Sequence, residues 1–227
     1  MRAVKSDPKV LEFLQVIREG DRGRSTLTLV QMDGEIALLK NFAQQRTPFR
    51  RTVGALMARR EAAAYRRLAG IEGIPRLLGR VPPDGLLLQF VRGVILARVA
   101  GERLTQDFFQ RLSVILGDLR RRSVLHGDIG HNVLMTPQGE PLLVDFGASF
   151  VVPQWFGPLR AAILNRGETH DERAIAKLKA RSAPYLLTAD DRRILSRPLP
   201  FEWPLDLAER MLRRIVRQFT STTSIPR

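Results

Sequence analysis

The sequence predicts an α+β fold, with strands gathered in the first part of the chain and helices dominating the rest. Three observations carry that expectation. Two apolar runs, TLTLVQM and EIALLK, are joined by Asp33-Gly34, a strong hairpin signal. Over 105–122, Phe108, Phe109, Leu112, Ile115, Leu116 and Leu119 recur at helical spacing. A second hairpin pattern interrupts the helical part, with Val133–Met135 and Leu142–Val144 flanking Pro-Gln-Gly-Glu.

Composition bounds the answer. At 227 residues, 44% of them hydrophobic and 26% charged, the chain reads as globular and long enough for a sizeable core in one domain or two small lobes. No apolar run approaches the length of a membrane span, and MRAVKSDPKV lacks the apolar stretch of a signal peptide, so a cytoplasmic setting is expected. The absence of cysteine excludes disulfides and thiolate metal sites. The net charge of +14 favours polyanionic partners: nucleic acid, anionic lipid headgroups or phosphorylated sugars. Of the 37 basic residues only five are lysines, which makes each lysine conspicuous.

Taken in order, 10–19 (VLEFLQVIRE) suits a helix or a strand, and Gly20 and Gly23 then break the pattern. Lys40 closes the EIALLK strand, with no other lysine between Lys9 and Lys177, and suggests a site that needs a compact ammonium in place of a planar guanidinium; the alternative is an ordinary surface lysine. Residues 52–69 are rich in Ala, Leu, Met and Arg and predict a helix whose single acid is Glu61. Surface salt bridges to Arg59, Arg60, Arg66 or Arg67 would be a merely structural use of that carboxylate. GLLLQFVRG (85–93) reads as a buried strand running into a turn. VVPQWFGPLR predicts a loop, and 170–181 a helix with acids first and bases last, which suits its dipole. Thr188–Asp191 is a capping-box pattern. Residues 205–219 alternate apolar and arginine positions as a basic amphipathic helix that closes the large lobe or lies on an anionic membrane.

The chemistry concentrates in VLHGDIGHNVLMTPQGEPLLVDFG (124–147). Asp128 and Asn132 precede the hairpin and Asp145 follows it, so the turn is expected to bring three oxygen-bearing side chains together, a place to hold Mg²⁺ and a phosphate. HGDIGHNVLM followed by VDFG resembles the catalytic and metal-binding loops of the protein-kinase-like superfamily, H-R-D-x-x-x-x-N and D-F-G. His-Gly-Asp is the flavour of its small atypical members: RIO kinases, aminoglycoside phosphotransferases and bacterial lipopolysaccharide kinases. One departure stands out, because Ile129, Gly130 and His131 make three residues between Asp and Asn where the pattern has four.

The resemblance implies a minimal two-lobed kinase-like fold, with a small β-rich lobe to about residue 91, a mostly helical lobe over about 92–220, and a flexible tail beyond. It implies ATP and Mg²⁺ as cofactors. Asp128 would orient the acceptor hydroxyl, Asn132 and Asp145 would hold the metal, and His126 would be a buried hydrogen-bonder. Lys40 would grip the nucleotide phosphates while paired with Glu61. Gly20 and Gly23, with Ser25, would form a reduced phosphate cradle, and the backbone of Gln89 and Val91 would meet the adenine edge. The implied acceptor is a protein Ser/Thr or a lipopolysaccharide-type sugar, with peripheral membrane contact suited to the charge. The shortened loop and reduced glycine loop support an alternative, a pseudokinase that binds nucleotide or a partner without turnover. A nucleic-acid platform ranks last, because no RNA-recognition motif is present.

Overall fold

The computed structural model describes residues 11–20, 25–42, 48–99 and 103–197. Gly23, the expected helix over 205–219 and the tail lie outside these. The chain divides into two compact units: Met1–Ala62 with Arg76–Phe90, and Ala63–Pro75 with Val91–Arg227. The architecture is α+β, an antiparallel sheet in the N-terminal region and a helical C-terminal region, as the sequence predicts.

In the first unit, β1 (Glu12–Arg18), β2 (Thr26–Met32), β3 (Glu35–Asn41), β4 (Leu77–Val81) and β5 (Gly85–Gln89) form one sheet in the order β1-β2-β3-β5-β4. Asp33 (φ 53°) and Gly34 (φ 81°) make the turn that joins β2 to β3, as an Asp-Gly pair should. Side chains of β2 alternate strictly between buried and half-buried, the period-2 pattern of a strand with one covered face. Val30, Met32, Ala37, Leu39 and Leu87 form the core on that face, with Leu11, Leu78 and Val81 packed at its margin. Lys40 lies mid-sheet, opposite Leu27 on one side and Leu86 on the other. Within the ambiguous stretch at 10–19, Glu12–Arg18 is a strand, not a helix, and its register against β2 is broken twice, between Phe13 and Gln15 and between Val16 and Arg18.

Helix α1 (Pro48–Arg67) begins in the first unit and ends in the second. It passes so close to the end of β3 that a Cβ on Gly54 would lie 3.2 Å from the Cβ of Phe42.

The second unit is built on α2 (Gln106–Arg121), whose six apolar residues at helical spacing are all buried. Thr105 caps it by accepting a hydrogen bond from the Phe108 N–H, which satisfies one of the donors that a helix start leaves open. Four short strands surround the loops: β6 (Val94–Ile95), β7 (Val124–Leu125), β8 (Val133–Met135) and β9 (Pro141–Leu143), and β10 (Phe150–Val151) pairs with β7. Beyond them run α3 (Pro158–Ser182) and α4 (Ala189–Ser196). α3 is about twice the length expected from its charge pattern. It extends back to Pro158 through Gly167, where a Cβ would lie 2.4 Å from Leu125 Cδ2, so the glycine permits α3 to cross β7.

Buried charges fix α3 against its neighbours. Asp171 faces Arg120 of α2 at 2.6 Å, and Lys179 faces Asp191 at 2.9 Å, where the Thr188 capping box also converges. Desolvation acts against ionised Asp191, but the Thr188 hydrogen bonds and Lys179 more than offset it and lower its pKa. Asp171 goes the other way: burial outweighs Arg120 and pushes it up to about 6. A carboxyl whose folded pKa exceeds its unfolded one contributes stability below pH 4 that is lost as pH rises through about 6. Thermal melts of the wild type and Asp171→Asn from pH 4 to pH 7 check this. The wild type is expected to lose stability relative to the variant across that window, and a constant difference would refute the assignment.

Candidate active site

The expected site residues fall into two groups, one in each unit. In the first unit, Lys40 Nζ lies 2.9 Å from Glu61 Oε1 and 2.8 Å from Oε2. Both residues are buried, Glu61 completely. Removing two charges from water costs several kcal/mol each, so such a pair persists only with close geometry, which two short contacts supply. The Phe42 ring, 5.6 Å from Nζ, adds a cation–π contact. The Glu61 carboxylate thus faces Lys40 of β3 in a buried pair, so its use goes beyond surface bridges to the arginines beside it on α1.

Gly20 follows β1, and its N–H donates to Thr26 Oγ1 at 3.1 Å, so that group is engaged within the loop. Gln89 ends β5, where its N–H donates to Arg76 O at 2.8 Å and its side-chain oxygen accepts from the Arg76 N–H at 3.3 Å. Val91 begins the next stretch of the second unit and is half-buried.

In the second unit, a set of hydrogen bonds assembles 124–147. The β8–β9 register pairs Val133 with Leu143, and the Val144 N–H donates to Asn132 O at 2.9 Å, so Asn132 and Asp145 stand at the same mouth of the hairpin. His126 is buried and spans the loop. Its Nδ1 accepts from the Asp128 N–H at 3.3 Å, which leaves Nε2 to donate to Val144 O at 3.0 Å. Both bonds are satisfied by one neutral tautomer, with the proton on Nε2.

The shortened loop closes as a turn. The Asn132 N–H donates to Ile129 O at 3.1 Å, while the Asn132 side-chain NH₂ donates to Asp128 O at 2.7 Å. Ile129 is buried and pins the turn to the core. Despite the shorter spacing, Asn132 is tied to Asp128 through its NH₂, and its Oδ1 is the side-chain oxygen that could serve as a ligand.

Asp145 sits in the left-handed region (φ 62°), and its Oδ1 accepts from the Gly147 N–H at 3.2 Å. Phe146 is fully buried, its ring 4.9 Å from Tyr65 and 4.8 Å from His126. That anchor holds the strained carboxylate in place.

Gly127 explains why glycine stands between His126 and Asp128. Its φ is 81°, and a Cβ there would lie 2.6 Å from Ala148 O. Gly127→Ala is expected to destabilise the chain by roughly 2–3 kcal/mol through left-handed strain and that clash. Denaturant melts check this, and a midpoint within error of the wild type would refute it.

Asp145 and Asn132 offer carboxylate and amide oxygens, the hard donors that suit Mg²⁺. Among the described residues no three His, Cys, Asp or Glu side chains cluster as a metal site. The donor set therefore fits an ion bound through one or two protein oxygens with the rest supplied by phosphates and water.

Two buried or half-buried side-chain contacts in the second unit escape the sequence. Arg160, near the start of α3, donates to Ser123 Oγ beside β7, tying the segment after Asp145 to the strand before His126. Lys179 forms another buried lysine–carboxylate pair, away from the Lys40–Glu61 one, and the scarcity of lysine was the available signal for it.

No protein-family model matches the sequence, and no curated protein matches it. Solved structures do share the fold. A crystal structure of the Rio2 kinase from Chaetomium thermophilum superposes with a TM-score of 0.60 at 16% identity, over 84% of this chain and 60% of that one. The Rio2 kinase–ADP/Mg²⁺–phosphoaspartate complex from the same organism gives 0.57 at 16% identity, over 84% and 59%. The chain thus spans about three-fifths of the length of the Rio2 structures that it matches, and the likeness establishes a protein-kinase-like fold.

Proposed function

We propose that this chain is an ATP-dependent phosphotransferase that moves the γ-phosphoryl group of MgATP to a hydroxyl. The observation that carries the reading is the buried Lys40–Glu61 pair on a protein-kinase-like fold. A completely buried glutamate facing a lysine at mid-sheet is costly as scaffolding, and a phosphate-gripping ammonium that must be held still accounts for it.

The roles follow the chemistry of each group. Lys40, oriented by Glu61, neutralises phosphate charge. Asn132 Oδ1 and the Asp145 carboxylate hold Mg²⁺, which when bound neutralises charge on the β- and γ-phosphates. The Asp128 carboxylate accepts the acceptor's hydroxyl hydrogen bond and directs its oxygen in line with the leaving group. Little covalent chemistry falls to the protein, so positioning and fixed charge supply most of the acceleration. The backbone of Gln89 and Val91 takes the adenine edge, and Gly20 and Gly23 the loop over the phosphates. A Rio2 structure holding ADP and Mg²⁺ supports the choice of cofactors.

The acceptor is a protein Ser/Thr or a lipid-linked sugar of the lipopolysaccharide type. The +14 charge favours an anionic acceptor and contact with a membrane surface from the cytoplasm. No helix among the described residues is long and apolar enough to cross a membrane. ADP production with MgATP tests the reading, with crude lipopolysaccharide and a generic protein substrate in parallel. ADP released with either acceptor, or autophosphorylation, is the expected result. A nucleotide-dependent thermal shift without any ADP would overturn it in favour of the pseudokinase.

A further inference from the structure

β1 is left over by the proposed chemistry. It ends the five-stranded sheet, so among the described residues one of its edges meets no other strand. All seven of its residues are exposed, and four are large and apolar: Phe13 at 69%, Val16 and Ile17 at 50%, and Leu14 at 45%. Natural edge strands are guarded by proline, lysine, inward-pointing charge or β-bulges. Between its terminal Glu12 and Arg18, EFLQVIR has no proline, lysine or other charge, and its one guarding feature is the pair of register breaks against β2.

The order of residues is self-complementary when the strand is laid antiparallel on a copy of itself. With Gln15 opposite Gln15, Leu14 falls opposite Val16, Phe13 opposite Ile17, and Glu12 opposite Arg18. Every apolar residue meets an apolar one, each end forms an ion pair, and a neutral amide pair sits on the axis. Cross-strand pairs of these kinds are the ones that stabilise antiparallel ladders.

From this we infer that β1 is a homodimer interface, two copies pairing along Glu12–Arg18 about a two-fold axis through Gln15. The contact is isologous, the commonest closed symmetry, and joins two five-stranded sheets into one of ten.

Sedimentation velocity of the full chain from about 1 to 100 μM tests this, with a charge-reversal set. The wild type is expected to dimerise in that range. Gln15→Lys, which places two like charges on the axis, should raise the dimer dissociation constant at least roughly tenfold. Glu12→Arg and Arg18→Glu should each weaken the dimer, and the double variant Glu12→Arg/Arg18→Glu should restore it, since the pairs re-form in reverse. That restoration separates the interface from general damage to the sheet. A monomer throughout the range would overturn the inference, as would a dimer indifferent to Gln15→Lys. A monomeric full chain that dimerises once residues 1–10 are removed would assign the edge to those residues of the same copy, and equally overturn it.

Discussion

Asp128→Ala is expected to lower ADP production roughly 10²–10⁴-fold, the range associated with losing a positioned acid–base group. The loop's hydrogen bonds to His126 and to the Asn132 side chain use the Asp128 N–H and carbonyl, both of which alanine keeps. Steady-state kinetics with saturating MgATP, alongside melts and nucleotide titrations, make the comparison. Nucleotide affinity should be nearly unchanged, because the residue acts on the acceptor. An unaltered rate would remove Asp128 from the mechanism, and a collapse in melting temperature would make it a structural residue. Either outcome contradicts the assignment.

The residues differ in how far the sequence exposes them, and the reasons are physical. Lys40 is visible because lysine is rare here and because it ends an apolar run after an Asp-Gly turn. The same rarity applies to Lys179, yet its partner Asp191 reads first as a capping residue, and the structure shows one carboxylate serving both the cap and the ion pair. Two carboxylates of opposite behaviour, Asp171 and Asp191, lie in the same unit, and nothing in their local sequence separates them; depth of burial and the number of donors do. The strand at 12–18 resists a periodicity argument for a definite reason. Phe13, Leu14, Val16 and Ile17 come in pairs because the strand slips its register twice, and paired apolar residues also suit a helix. The true start of α3 is hidden by Gly167, which looks like a helix breaker and is instead the point where Leu125 packs closest. The count of three residues between Asp128 and Asn132 is plain in the sequence. How the loop survives the loss is not, because it depends on a turn closed by Ile129 O and on the buried Ile129 side chain.

The Lys40–Glu61 pair carries the proposed function and yields the prediction with the largest expected cost in stability. Glu61→Ala leaves a buried ammonium without its carboxylate, and breaking one partner of a buried pair typically costs about 3–5 kcal/mol. For a chain of this length that corresponds to a fall in melting temperature on the order of 10 °C. Lys40→Met alone should be similarly damaging, because it takes the ammonium away from a glutamate that is completely buried. The double variant Lys40→Met/Glu61→Leu removes both charges and should regain most of the lost stability, since well-packed apolar side chains replace buried ion pairs with little or no penalty. Activity behaves differently. All three variants should release ADP at least about 10²-fold more slowly than the wild type, because none has an oriented ammonium for the phosphates. A pair that served only as scaffolding would show both properties recovering together in the double variant. Stability without activity is the result that separates a phosphate-binding lysine from a structural one.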